Sequence, residues 1–264
     1  MIKLLRSNLK RILSSKTFWI CSAAYILFGL ILSLVFWTTG SSLDFPSLNT
    51  GLSGGPLTVV IMLIILSVII GSDFKNNTIR NKIIIGHSKT KIYLSNVLAF
   101  SICAIALNLV YLCVTFPISP YMLVTYVIDA IFHENSIARI AQTVVMTVFY
   151  NIFTVTFIVS VYMLIIMNVK NTVVALICSI ALNAVALITT SLIYYSNTYW
   201  VNVWLSGILY FYPTGINALI ANGDVVLNSL DHPILILPIT AIMVILTVVS
   251  TTVGAAIFKK SDIK

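Results

Sequence analysis

The sequence predicts an all-α integral membrane protein with six transmembrane helices. Of its 264 residues, 59% are hydrophobic and only 8% are charged, whereas a soluble domain carries roughly 25% charged residues. Several apolar runs approach or exceed the roughly 20 residues that a helix needs to cross a bilayer. The basic residues cluster at the ends of these runs. This distribution indicates membrane topology and anionic headgroups, and not nucleic-acid binding, as the reason for the net charge of +8.

The first 16 residues form an amphipathic segment ahead of the first apolar run. An apolar stripe follows one side at helical spacing, and basic residues lie beside it. The stripe consists of Ile2, Leu5, Leu9, Ile12 and Leu13, and the neighbouring basic residues are Lys3, Arg6 and Lys10. This pattern predicts an interfacial helix over residues 1–16, the alternative being a basic tail that only fixes orientation.

The chain is predicted to be a single transmembrane domain over residues 1–264. The six spans are predicted at 17–38, 57–71, 92–116, 140–169, 173–195 and 234–258. Ser41–Pro56, rich in Gly, Ser and Pro, is predicted to be an outer loop. Tyr121–Arg139 is too short and too polar at one end to cross, so we expect an outer interfacial helix there. Lys170 lies in a predicted tight inner turn.

Residues 197–233 are a second unusual region. They are apolar and aromatic, yet Pro213 and Gly215 interrupt them, and they contain no basic residue. Irregular backbone at membrane depth is tolerated where protein buries it. We therefore predict an outer re-entrant segment of short helices. A further span over residues 199–220 is the alternative, which is disfavoured because it would place the C-terminal lysines outside.

The basic residues set the orientation of this arrangement. Every Lys and Arg except Arg139 falls on the inner side, whereas five of the seven acidic residues fall on the outer side. Both termini and the loop at 72–91 are therefore predicted to be cytoplasmic.

Several kinds of chemistry have no residues to carry them. The predicted spans contain no Asp, Glu, Lys or Arg, which argues against ion-coupled carriers, proton pumps and voltage sensors. No phosphate-binding loop of the GxxxxGK[ST] type is present. His133 and Glu134 lack the second His of a zinc-protease motif, so neither a metal site nor a catalytic site is predicted.

The polar stretch from Gly71 to Lys91, between two apolar runs, resembles the signature of ABC-2 type permeases. The matching parts are Gly71-Ser72-Asp73-Phe74, Asn77-Thr78-Ile79-Arg80-Asn81-Lys82 and Gly86-His87-Ser88-Lys89. The layout of an N-terminal interfacial helix and six spans is also similar to this family. So is the interrupted segment before the last span, with Tyr210, Tyr212, Pro213 and Gly215.

The resemblance implies that a helix from about Asn76 to Ile85 is a coupling helix, which docks on a separate ATPase subunit. The residues implied in coupling are Asp73, Phe74, Asn77, Thr78, Ile79, Arg80, Asn81, Lys82, Ile83 and Gly86. In this interpretation Ile79, Ile83 and Ile84 supply an apolar contact, while Arg80 and Lys82 meet acidic residues.

The resemblance further implies the partners and the location. A full transporter would be a homodimer of this chain with two ATPase subunits, in a bacterial plasma membrane, and membrane lipids would surround it. ATP and Mg would be bound by the ATPase subunits, and this chain would hold no cofactor of its own.

The cargo is implied less directly. In its compact size and low charge, the chain resembles permeases that export amphipathic peptides, such as phenol-soluble modulins, or that confer immunity to lantibiotics. A permease for a lipid, drug or ion, and a non-transporting membrane sensor or assembly module, remain alternatives.

Overall fold

The computed structural model describes residues 1–39, 55–118, 136–169, 171, 173–178, 180–181 and 236–261, and these residues form α-helices and short connections with no strand. The helices are α1 (Ile2–Leu13), α2 (Lys16–Thr39), α3 (Gly55–Lys75), α4 (Thr78–Ile84), α5 (Lys89–Ile118), α6 (Ser136–Val169) and α7 (Ile236–Lys260). The prediction of an all-α fold is therefore confirmed for the described part of the chain.

Within the described residues, three stretches are long and apolar enough to cross a membrane unaided. They are Lys89–Tyr111 in α5, Ile152–Val169 in α6 and Met243–Lys260 in α7. Two bent pairs, α1 with α2 and α3 with α4, raise the number of candidate spans to five if each pair counts as one. The chain is thus compatible with a multi-pass membrane protein, and the arrangement of six spans stays a prediction.

The connection between α1 and α2 turns the chain by 64°. At the end of α1, the hydroxyl of Ser14 donates to the carbonyl of Arg11 at 3.0 Å. The indole Nε1 of Trp19 donates to the carbonyl of Leu13 at 2.7 Å. These bonds satisfy carbonyls that the last turn of a helix leaves unpaired, and they hold the corner.

The connection between α3 and α4 turns the chain by 58° in two residues. Asn77 adopts the left-handed conformation with φ of 55°, which Asn tolerates better than most residues. The helix α4 then ends in a Schellman arrangement, because Gly86 N–H donates to Ile83 O at 2.9 Å and His87 N–H donates to Lys82 O at 3.1 Å. Gly86 has φ of +99°, which explains the glycine there.

The helix α5 lies at the centre of the described structure and contacts α1, α2, α6 and α7. Its side chains fill much of the core, and one contact joins it to α2 through the stacked rings of Tyr25 and Tyr111, whose centroids are 4.4 Å apart. The helix α7 packs most extensively against α6, where the hydroxyls of Ser160 and Ser250 are 2.6 Å apart.

Several predicted segments fall partly or wholly outside the described residues. Of the predicted span at 173–195, residues 173–178 and 180–181 are described and helical, and the side chain of Asn171 accepts from Val173 N–H at 3.0 Å to cap that start. The outer loop at 41–56 is described only from Gly55, and the outer helix at 121–139 only from Ser136, where α6 begins. The segment at 197–233, with Tyr210, Tyr212, Pro213 and Gly215, lies outside the described residues.

Candidate partner-docking site

One face of the short helix α4 is exposed, and it carries both polar and apolar side chains. Ile84 is 73% exposed and Ile85, directly after the helix, is 76% exposed. Arg80 and Asn81 are also exposed. We call these four residues the exposed patch. Two neighbouring isoleucines thus leave apolar area open beside the exposed charge of Arg80, which makes this surface a candidate docking site.

The opposite face of α4 is directed into the protein. Ile79 is 1% exposed and belongs to the core, and Ile83 is half-buried against that core. Phe74, at the end of α3, packs on the same core. The expected apolar contact by Ile79, Ile83 and Ile84 therefore differs from the structure, in which Ile84 and Ile85 are the isoleucines available to a partner.

The remaining residues of the predicted coupling motif shape the two ends of α4. Asn77 provides the left-handed residue before the helix, and Thr78 is the first helical residue. Gly86 provides the positive φ after it. The helix is thus shorter than the predicted Asn76–Ile85, because these two positions end its regular geometry.

A buried polar cluster joins α4 to its surroundings. We use this name for Asn8, Arg11, Asp73, Lys82 and Ser95. The guanidinium of Arg11 donates to the carboxylate of Asp73, and the two side chains form a salt bridge. Asp73 is 2% exposed whereas the side chain of Arg11 is 24% exposed, so this bridge is partly buried at the junction of α1 and α3.

The second part of the polar cluster is centred on Asn8, which is completely buried. Its Oδ1 accepts from Lys82 Nζ at 2.7 Å, and its Nδ2 donates to Ser95 Oγ at 2.9 Å. One side chain of α1 therefore links α4 to α5. Because a buried polar group that loses its partner is costly, these bonds fix α4 in one position.

Burial and neighbouring charges perturb the two ionisable groups of the polar cluster that lie in the loop at 72–91. The pKa of Lys82 is lowered from its ordinary 10.5 to about 8, mainly by burial and also by the charge of Arg11, while the charge of Asp73 acts in the opposite direction. Burial raises the pKa of Asp73 above its ordinary 3.8, although Arg11 and Lys82 act against this. Lys82 is therefore a partly buried residue with a lowered pKa that is bonded to Asn8, and not the exposed cation expected to meet a partner.

Sequence reasoning missed Asn8, Arg11 and Ser95 as members of a site. The amphipathic stripe predicted for α1 also differs from the buried face, which contains Leu4, Asn8 and Ile12, whereas Ile2 is 82% exposed. The sequence offered one indication of this site, the i, i+3 spacing that places Asn8 and Arg11 on the same side of a helix whose first turn has no acidic residue. Nothing in that spacing named their partners, which lie more than 60 positions away.

In the part of the chain that the structure describes, no group of three or more His, Cys, Asp or Glu side chains could hold a metal ion. Comparisons with protein-family models, with curated proteins and with solved structures found no match to this chain.

Proposed function

We propose that this chain is the membrane-spanning permease subunit of an ATP-driven exporter of the ABC-2 type. The observation that carries the proposal is the exposed patch on α4, a helix set between two apolar helices and fixed from behind by the polar cluster. A docking helix needs both features, because it must offer a surface to a partner and must not yield when the partner moves it.

In this proposal the exposed patch docks on a separate ATPase subunit that binds ATP and Mg. Ile84 and Ile85 supply apolar contact, and Arg80 meets an acidic side chain of the partner. Closure of the ATPase on ATP displaces α4. Because Lys82 is bonded to Asn8 and Asp73 is paired with Arg11, the displacement is passed to α1 and α3 as a rigid-body movement.

The cargo proposed is an amphipathic or hydrophobic peptide, of which phenol-soluble modulins are examples. Spans without charged side chains offer an uncharged path, and two protomers would enclose it between them. The absence of Asp, Glu, Lys and Arg from the predicted spans also supports an energy source outside this chain, as ATP hydrolysis in a partner would be.

The test is purification of the tagged chain from its native membrane in mild detergent, with mass spectrometry of the proteins that co-purify. We expect a stoichiometric ATPase that carries a phosphate-binding loop. Two variants, Arg80→Glu and Ile84→Asp, should abolish its co-purification while leaving the chain inserted. Lys260→Glu is the matched control, since it reverses an exposed basic charge at the end of α7 and should retain the ATPase.

Two results would overturn the proposal. In the first, the wild-type chain elutes alone, even after cross-linking in intact membranes, and the sensor or assembly interpretation then gains support. In the second, an ATPase is recovered equally with the wild type and with both patch variants, which would remove the exposed patch as its docking surface.

A further inference from the structure

Lys89 occupies a position that local helix electrostatics disfavours. It is the first residue of α5, a helix whose first turn contains no acidic residue. A helix N-terminus carries partial positive charge, so a lysine there is unfavourable unless another group compensates it. The connection from α4 to Lys89 is only four residues long, and thus any displacement of α4 reaches this lysine directly.

The C-terminal end of α7 compensates the charge of Lys89. Lys89 Nζ donates to the carbonyl of Ser261 at 2.7 Å and lies 3.4 Å from the carbonyl of Lys259. The last carbonyls of a helix lack partners within the helix and carry partial negative charge. Lys89 therefore caps α7 from α5, although α7 already ends in two lysines of its own.

One turn further along α5, Tyr93 makes a second contact with the same end of α7. Its ring lies 6.1 Å from the ring of Phe258, and both side chains are completely buried. Its hydroxyl and ring also lie against Gly254, where a side-chain Cβ would overlap them. Lys89 and Tyr93, one helical turn apart, thus both hold the start of α5 against the end of α7.

We propose that Lys89 is a positioning residue that makes α7 follow the movement of α4. This inference rests on the proposed function, because it assumes that an ATPase subunit displaces α4. The helix α7 in turn packs along α6. A displacement at the exposed patch would therefore reach α6 through the cap on α7, by a route separate from the polar cluster, which joins α4 to α1.

The experiment measures amide hydrogen exchange in residues 250–261 of the purified permease–ATPase complex, with and without ATP plus orthovanadate. In the wild type, we expect the nucleotide to change exchange in this segment. In Lys89→Met, the ATPase should still co-purify and that change should be lost, because the cap is absent. Lys89→Arg should restore it. Lys91→Met is the control, since it removes an exposed charge two residues away.

The outcomes separate this inference from the proposed function. If no ATPase accompanies the wild type, the proposed function fails and this inference fails with it. If the ATPase binds and Lys89→Met responds to nucleotide like the wild type, only the role of Lys89 is overturned. Loss of ATPase binding in Lys89→Met would also overturn it, since Lys89 would then be a docking residue. If Lys89→Met fails to insert, Lys89→Gln takes its place, because it removes the charge and keeps a polar side chain. The same exchange and co-purification results then decide the role of Lys89.

Discussion

Asn8 is the residue on which the arrangement at this end of the molecule most depends. It lies on a helix face that otherwise buries Leu4 and Ile12, and both ends of its amide are bonded, to Lys82 and to Ser95. An asparagine among apolar residues is costly unless its donors and acceptors are paired. Here the pairing explains its presence, because no apolar side chain could accept from the partly buried ammonium of Lys82.

Replacing Asn8 with alanine should therefore destabilise the protein. Asn8→Ala leaves Lys82 and Ser95 without their partner in the interior, and removal of one partner of a buried hydrogen bond costs about 1–3 kcal/mol. Thermal unfolding of the purified chain in detergent measures this loss. Ser7→Ala, at the neighbouring exposed position, should change stability by less than about 0.5 kcal/mol. Equal effects of the two substitutions would contradict the structural role given to Asn8.

The same residues mark the limit of prediction from the sequence. The stretch that carries the exposed patch could be identified, because a basic segment between two apolar runs stands out by composition alone. The side of α4 that faces outward could not, because it is decided by the bonds of Lys82 and Asn8 and by the burial of Ile79. These contacts join positions far apart in the sequence, and helical periodicity contains no information on them.

At the scale of helices, the contact between α5 and α7 is as specific as the polar cluster. Gly254 lies directly beneath Tyr93, and the space that a Cβ would need is filled by the phenol. The glycine allows the two helices to approach closely, which is the usual role of small residues between helices in membranes. The approach also brings the end of α7 within reach of Lys89.

Gly254→Ala should force these two helices apart. Added bulk at a well-packed contact typically costs about 1–3 kcal/mol, and Tyr93→Leu in the same chain should recover part of that loss, because it removes the ring that the new methyl group meets. Thermal unfolding of the single and double variants in detergent tests this coupling. Ala256→Leu, on the exposed face of α7, is the control and should be close to neutral. Strict additivity of the two substitutions would argue against the contact.

The helix boundaries differ from those of the predicted spans. The span predicted at 92–116 lies within α5, which begins at Lys89 and continues through Pro117 to Ile118, and the span predicted at 57–71 lies within α3, which continues to Lys75. The helix α3 is longer because Asp73 is paired with Arg11 and so lies inside the protein. A carboxylate in a sequence gives no sign of such a partner, and composition alone therefore ends the helix too early.

At the scale of the whole molecule, three separate parts of the chain meet at one end of the bundle. The helix α1 joins the loop at 72–91 through Asn8 and Arg11, and the end of α7 joins it through Lys89. These are the N-terminal, central and C-terminal clusters of basic residues. Charge bias predicted that these clusters share the cytoplasmic side. The contacts bring described residues of the three clusters together, and their side of the membrane stays a prediction.

The orientation of this end relative to the membrane is the prediction on which the proposed function depends, since a cytoplasmic ATPase reaches only a cytoplasmic patch. Single cysteines at Ser47, His87 and Lys260, in a chain whose four native cysteines are replaced, would be treated with a membrane-impermeant maleimide on intact cells. We expect labelling of Ser47→Cys, in the predicted outer loop, and protection of the other two until the membrane is permeabilised. His87 and Lys260 are both exposed on the protein, so their protection would come from the bilayer. Labelling of His87→Cys in intact cells would place the exposed patch outside, where neither ATP nor its ATPase is found, and would exclude the permease proposal irrespective of any binding measured in detergent.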